Sequence, residues 1–197
     1  IKASSGFDAI SQAIESIISK KSNINSVNFA KKSLEISLKH YLSFLKNPNK
    51  FNTSAMGFAA NLSGKAISIS KTTAPHAVSY PFTSIYNLSH GHAVSLTLND
   101  FLSFNFNNLK YASCEFDLKK RYNILFSLTK TKNFQDLNKY ILNLKKQANL
   151  ESNFNKLGIN LSRDLDRIIS GINILRLSNN PIDLKESDVR YILSKKN

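Results

Sequence analysis

Apolar residues in this chain recur three and four positions apart along almost every segment and nowhere alternate over a strand-length stretch. That period restricts the fold to packed helices. A 3.6-residue repeat puts one apolar stripe on a helix, whereas a half-buried strand needs a repeat of two. Ile10, Ala13, Ile14, Ile17 and Ile18 make such a stripe on a first helix expected over residues 7–19, with Ser4-Ser5-Gly6 as its N-cap region. A second helix is expected over 26–46, ended by Asn47-Pro48-Asn49. The third, over 50–69, carries Phe51, Ala55, Phe58, Ala59, Leu62, Ala66 and Ile69 at helical spacing. Its Gly57, Ala60 and Gly64 leave room for close packing, and it is read as the central helix of a bundle. Amphipathic patterns continue over 117–128, 133–148, 162–177 and 185–194, with a turn at Leu157-Gly158-Ile159 and an extended connection at 181–184. This half is assigned fold and an interface, but no chemistry. The expectation is an all-α helical bundle forming one domain over residues 1–197.

Charge has to be weighed before chemistry. A net charge of +14 and a pI near 9.9 raise the possibility of a basic module that binds nucleic acid. Only five of the 27 basic residues are arginine, and the lysines fall in scattered pairs such as Lys20-Lys21, Lys31-Lys32 and Lys119-Lys120. Solvated helix faces account for that pattern better than a nucleic-acid stripe does. A non-catalytic helical remnant serving assembly is the other alternative. No apolar run approaches the roughly 20 residues of a membrane helix. The single cysteine, Cys114, has no internal disulfide partner, which fits a reducing, cytoplasmic setting. The chain starts at Ile1 without an initiator Met or a signal-peptide pattern and is read as a fragment of a longer protein.

Chemistry concentrates in residues 70–96, SKTTAPHAVSYPFTSIYNLSHGHAVSL, which hold three of the four histidines and two of the four prolines. Pro75 suits the first turn of a helix capped by Thr72 or Thr73. Pro81 is expected to kink that helix or to end it at Tyr80. Ser89 is the expected N-cap of a helix over 90–104. His76 and His90, fourteen residues apart, then sit on separate helices. Asp8 and Gln12, four residues apart on the first helix, share one of its faces. An Asp and a Gln from one helix with a His from each of two others make a four-ligand metal site. His40 lies among helix residues with no ligand nearby and reads as a surface or packing residue.

The segments GFDAISQAIES, KTTAPHAVSY and SHGHAVSL, with Asn179-Asn180-Pro181 near the C-terminus, resemble the iron-containing, group III alcohol dehydrogenases, and among them the phosphonoacetaldehyde-reductase-like branch. The resemblance implies the helical C-terminal domain shared with dehydroquinate-synthase-like enzymes, the N-terminal nucleotide-binding domain being absent from this chain. It implies a divalent metal, Fe2+ before Zn2+, held by Asp8, Gln12, His76 and His90, with Gln12 standing where many members have His. Tyr80 falls where many relatives carry a further His near nicotinamide and substrate, and either hydrogen-bonds the substrate oxygen or walls the cleft. Lys71 meets an anionic substrate or a cofactor phosphate, or is a solvated loop lysine. His92 makes a polar contact or lines the substrate pocket. The implied activity is hydride transfer between NADH or NADPH and a small aldehyde, with phosphonoacetaldehyde the candidate that the branch suggests and with the missing domain and a second copy of the chain as candidate partners.

Overall fold

A computed structural model describes residues 1–196. Ten α-helices are found among them: α1 (Lys2–Ile18), α2 (Ile24–Lys46), α3 (Lys50–Ser70), α4 (Ala74–Tyr86), α5 (His90–Asn107), α6 (Leu118–Thr129), α7 (Phe134–Gln147), α8 (Leu161–Ser170), α9 (Ile174–Leu177) and α10 (Glu186–Ser194). No strand occurs among the described residues, only an isolated bridge between Ala112 and Ile182. No helix described is long and apolar enough to cross a membrane. The abundant asparagines act at helix starts: Asn23, Asn49, Asn133, Asn160 and Asn173 each accept a backbone N–H of the first turn. This is the geometry their short amide side chains favour.

The centre of the bundle is α1, not α3. Twelve of the seventeen residues of α1 are buried, and it packs against α2, α3, α5 and α6. Only seven of the twenty-one residues of α3 are buried, and its Phe51 and Phe58 face outward. Spacing alone misled, because exposed aromatics keep the same period as core ones. Nor do Gly57 and Gly64 mediate close packing, since a Cβ on either would meet nothing within 4 Å. Gly6 does, since a Cβ there would collide with the ring of Tyr41. Ser4, Ser5 and Gly6 accordingly lie inside α1, which starts at Lys2.

Two apolar cores result. One joins Phe7, Ile10, Ile14 and Ile17 of α1 to α2, α6 and α7; the other joins Val78 and Phe82 of α4 to α8 and α10. Helix α5 contributes to both, with Leu98 and Leu102 in the first and Leu96 and Phe101 in the second.

Pro81 neither ends nor breaks α4, which runs on to Tyr86. Proline has no N–H to give the carbonyl four residues back, that of Ala77. The Asn173 N–H at the start of α9 donates to it instead, at 3.3 Å. Gly171 splits the expected 162–177 helix into α8 and α9, and a Cβ there would lie 3.1 Å from Pro81 Cβ. Proline and glycine together seat α9 against α4.

Candidate metal centre

Helices α1, α4 and α5 bring Asp8, His76 and His90 together, with one potential ligand atom from each lying within 4.8 Å of the others. The close approach has a sequence cause. A Cβ on Gly91 would overlap the Ser4 carbonyl and lie 2.7 Å from Asp8 Cβ, so only glycine lets the start of α5 rest on α1. Ser4 Oγ accepts the His92 N–H at 3.0 Å and fixes that contact. Ser89 occupies the N-cap position of α5 but makes no side-chain capping bond.

His76 is the buried member, at 1% exposure. Its Nδ1 lies 2.5 Å from Glu15 Oε1, and Glu15 is itself wholly buried. The other oxygen of Glu15 accepts both the N–H and the hydroxyl of Thr73, at 2.7 and 2.8 Å. Glu15 therefore does from α1 what Thr73 does not do with its own side chain: it caps α4. A carboxylate on Nδ1 holds the proton there and turns the Nε2 lone pair outward. That Nε2 has no hydrogen-bond partner, and neither does the buried Asp8 Oδ1, 3.3 Å away. His90 Nε2 stands 3.9 Å from the same oxygen.

Unsatisfied acceptors facing one another in a dry site call for a cation. Donors about 2.1 Å from a tetrahedral ion lie about 3.4 Å from one another, so a divalent ion suits these spacings and this N/O donor set. A proton is the alternative occupant. Burial alone would lower the His76 pKa, but the carboxylates of Glu15 and Asp8 outweigh it and raise it to about 9. The more exposed His90 goes the other way, lowered first by desolvation.

Gln12 belongs to the same corner, with its amide nitrogen donating to Asp8 Oδ2 at 2.8 Å and its oxygen accepting from Ser63 Oγ at 3.0 Å. The Ser63 hydroxyl also reaches the Ala60 carbonyl at 2.9 Å. A half-turn of the amide would present its oxygen toward Asp8 and let Ser63 accept instead while donating to Ala60. Tyr80 packs against His90, with ring centroids 5.9 Å apart. His92 sits on α5 beside the corner, its Nε2 2.7 Å from the Glu151 carbonyl, a polar contact. His40 stacks edge-on against Phe51, at 5.2 Å, remote from the site.

Beside the corner opens a cavity of about 580 Å³, lined in part by Lys21, Lys71, Thr72 and Arg176. Lys71 is the exposed C-cap of α3, with φ 59° and ψ 178°. That region suits glycine and costs other residues about 1–3 kcal/mol. Its Nζ touches the Ser68 carbonyl at 3.1 Å. Asn179 holds the neighbouring backbone, donating to Ser19 Oγ and to the carbonyls of Ser70 and Thr72, each at 2.8 Å. Asn180 exchanges amide bonds with Asn105. From the C-terminal half, to which the sequence pattern assigns no chemistry, Arg176 reaches the side of Tyr80. Its guanidinium lies over the Tyr80 ring at 5.2 Å and donates to Thr72 Oγ1 at 3.0 Å.

Glu15, Gly91, Ser63 and Arg176 were not anticipated from the sequence. Glu15 was the most accessible of them: it lies seven residues after Asp8 and breaks the apolar face of α1.

Comparison with known proteins agrees with the fold. Residues 2–197 match the model of the Fe-containing alcohol dehydrogenase family, C-terminal. A 51-residue stretch, 26% of this chain, is 45% identical to phosphonoacetaldehyde reductase of Streptomyces viridochromogenes, of which it covers 13%. An archaeal halo-thermophilic Red Sea brine pool alcohol dehydrogenase superposes over the whole chain with a TM-score of 0.89 at 20% identity. Sulfoacetaldehyde reductase from Bifidobacterium kashiwanohense, solved in complex with NAD+, does so with 0.86 at 24%. The chain spans about half the length of these solved relatives, at 51% and 50%.

Proposed function

The chain belongs to the Fe-containing alcohol dehydrogenase family, and on that premise we propose that it is the metal-holding half of an NAD(P)-linked aldehyde reductase. The observation that carries the reading is the pair of buried, partnerless atoms Asp8 Oδ1 and His76 Nε2, 3.3 Å apart, with His90 beside them. Asp8, His76 and His90 would hold Fe2+ or Zn2+, with Gln12 as a fourth, weaker oxygen donor once its amide turns. Such an ion supplies Lewis acidity, drawing electron density toward a carbonyl oxygen so that a hydride can reach the carbon.

The protein's own groups prepare that event. Glu15 fixes the tautomer and orientation of His76, so Nε2 is presented without reorganisation. Burial of His76 keeps water off one side, while His90, whose side chain is 39% exposed, leaves the other side open to substrate. Tyr80, against His90, walls the approach and offers a phenol toward the substrate oxygen. NADH or NADPH would deliver the hydride from a nucleotide-binding domain facing the open side. An aldehyde with an anionic end, such as phosphonoacetaldehyde, is the substrate class this reading favours. The support is the local identity to phosphonoacetaldehyde reductase and the cationic wall next to the corner.

The test uses the full-length protein. NAD(P)H-dependent reduction of phosphonoacetaldehyde should vanish on chelation and return with Fe2+ or Zn2+. Undiminished turnover after metal removal would contradict the proposal.

A further inference from the structure

The cavity beside the metal centre has a composition that its neighbour does not explain. Lys21, Lys71 and Arg176 line it with Thr72, Ser68 and Ser178, and no acidic residue is among its lining. Two of the other four arginines are matched by carboxylates, Arg163 by Asp164 and Arg190 by Asp166 and Glu186, while Arg121 lies over the Phe116 ring. Arg176 instead spends one donor on a neutral hydroxyl, that of Thr72, and lies over the face of Tyr80. A guanidinium has five N–H donors in a planar fork, and the fork matches two oxygens of one anion. Thr72 and Tyr80 hold it in place, so little side-chain freedom remains to be lost on binding.

Lys71 adds a second positive charge on a backbone that ordinarily selects glycine, and Asn179 clamps the backbone that carries Thr72. One aromatic ring, Tyr80, separates Arg176 from His90. The seating of α9 through Pro81 and Asn173 gives this arrangement a fixed origin in the fold.

We propose that this cleft is an oxyanion subsite in which Arg176, aided by Lys71, reads the anionic end of the substrate while the substrate's carbonyl faces Asp8, His76 and His90. The inference rests on the reductase reading and extends it with a specificity-determining residue. The shared chemistry is a tetrahedral oxyanion, a phosphonate or sulfonate on the substrate. The phosphates of the dinucleotide are the other source of such a group.

Calorimetric titration of this chain with methylphosphonate, methanesulfonate and NADH at low salt separates the two. Both small anions should bind, and Arg176→Ala should weaken them by about tenfold or more. Arg176→Lys should restore them only in part, because an ammonium cannot make the two-pronged contact. Arg121→Ala, which removes an arginine that does not line the cavity, should leave them unchanged. NADH should not displace methylphosphonate. Anion binding untouched by Arg176→Ala, or equally weakened by Arg121→Ala, would overturn the proposal. So would NADH competing with methylphosphonate for the cleft, which would assign the site to cofactor phosphates. Zinc titration of Arg176→Ala keeps the two levels apart: retained metal binding with no anion effect removes the subsite and leaves the reductase reading standing.

Discussion

The metal corner and the neighbouring cleft differ in charge, burial and construction. The corner is made of side chains from the interiors and first turns of three long helices, with Glu15 and His76 buried to 1% or less. Its excess is negative, and the contacts of Glu15 with His76 and Thr73 and of Gln12 with Ser63 also tie one helix to another. The cleft is made from helix ends and a four-residue helix; its excess is positive, and Lys71 and Arg176 meet only neutral partners, a carbonyl, a hydroxyl and the Tyr80 ring. The difference teaches that rigidity and recognition are separated here. The corner is expensive to disturb because fold and site share the same atoms, whereas the cleft can change without consequence for the core.

The largest effect expected of that contrast is on stability at Glu15. Glu15→Ala removes the partner of His76 Nδ1 and the cap of α4 at once, leaving buried polar groups bare. Urea unfolding should show a loss of about 3–5 kcal/mol. A loss under about 1 kcal/mol would mean that the corner does not depend on this carboxylate and would erase the distinction.

A smaller effect, of opposite sign, is expected in the cleft. Lys71→Gly relieves a backbone held at φ 59° and should raise stability by about 1 kcal/mol, while Lys71→Ala keeps the Cβ and should not. Both variants should weaken methylphosphonate. Stabilisation by glycine with anion affinity lost would mark Lys71 as retained for recognition at a structural cost. Equal stability of the three proteins would remove the strain argument.

The same contrast explains what the sequence made legible. Helix periodicity gave the all-helical bundle and most boundaries, because apolar spacing reports local structure directly. It did not give the start of α1, the end of α4 or the break between α8 and α9. Asp8, Gln12, His76 and His90 stood out because two ligand-bearing residues one turn apart and two histidines across a proline form a recognisable pattern. What failed was long-range or depended on a vacancy. The period of α3 could not say which of its aromatics face solvent. Gly91 matters through the atom it lacks, and Pro81 through a carbonyl satisfied by Asn173, 92 residues away in sequence. Arg176 reaches the site only because that pairing seats α9, a tertiary fact with no local signature.

The central claim is that Asp8, His76 and His90 make one divalent metal site. Titrating Zn2+ into this chain, followed by calorimetry and thermal unfolding, tests it most directly. One ion should bind per chain and raise the melting temperature, because a site assembled from three helices exists only in the folded state. His76→Ala and His90→Ala should each abolish that rise, and Gln12→His should enlarge it, imidazole being the better zinc donor. Zinc binding of parental strength in both histidine variants would contradict the account and leave the two histidines as packing residues.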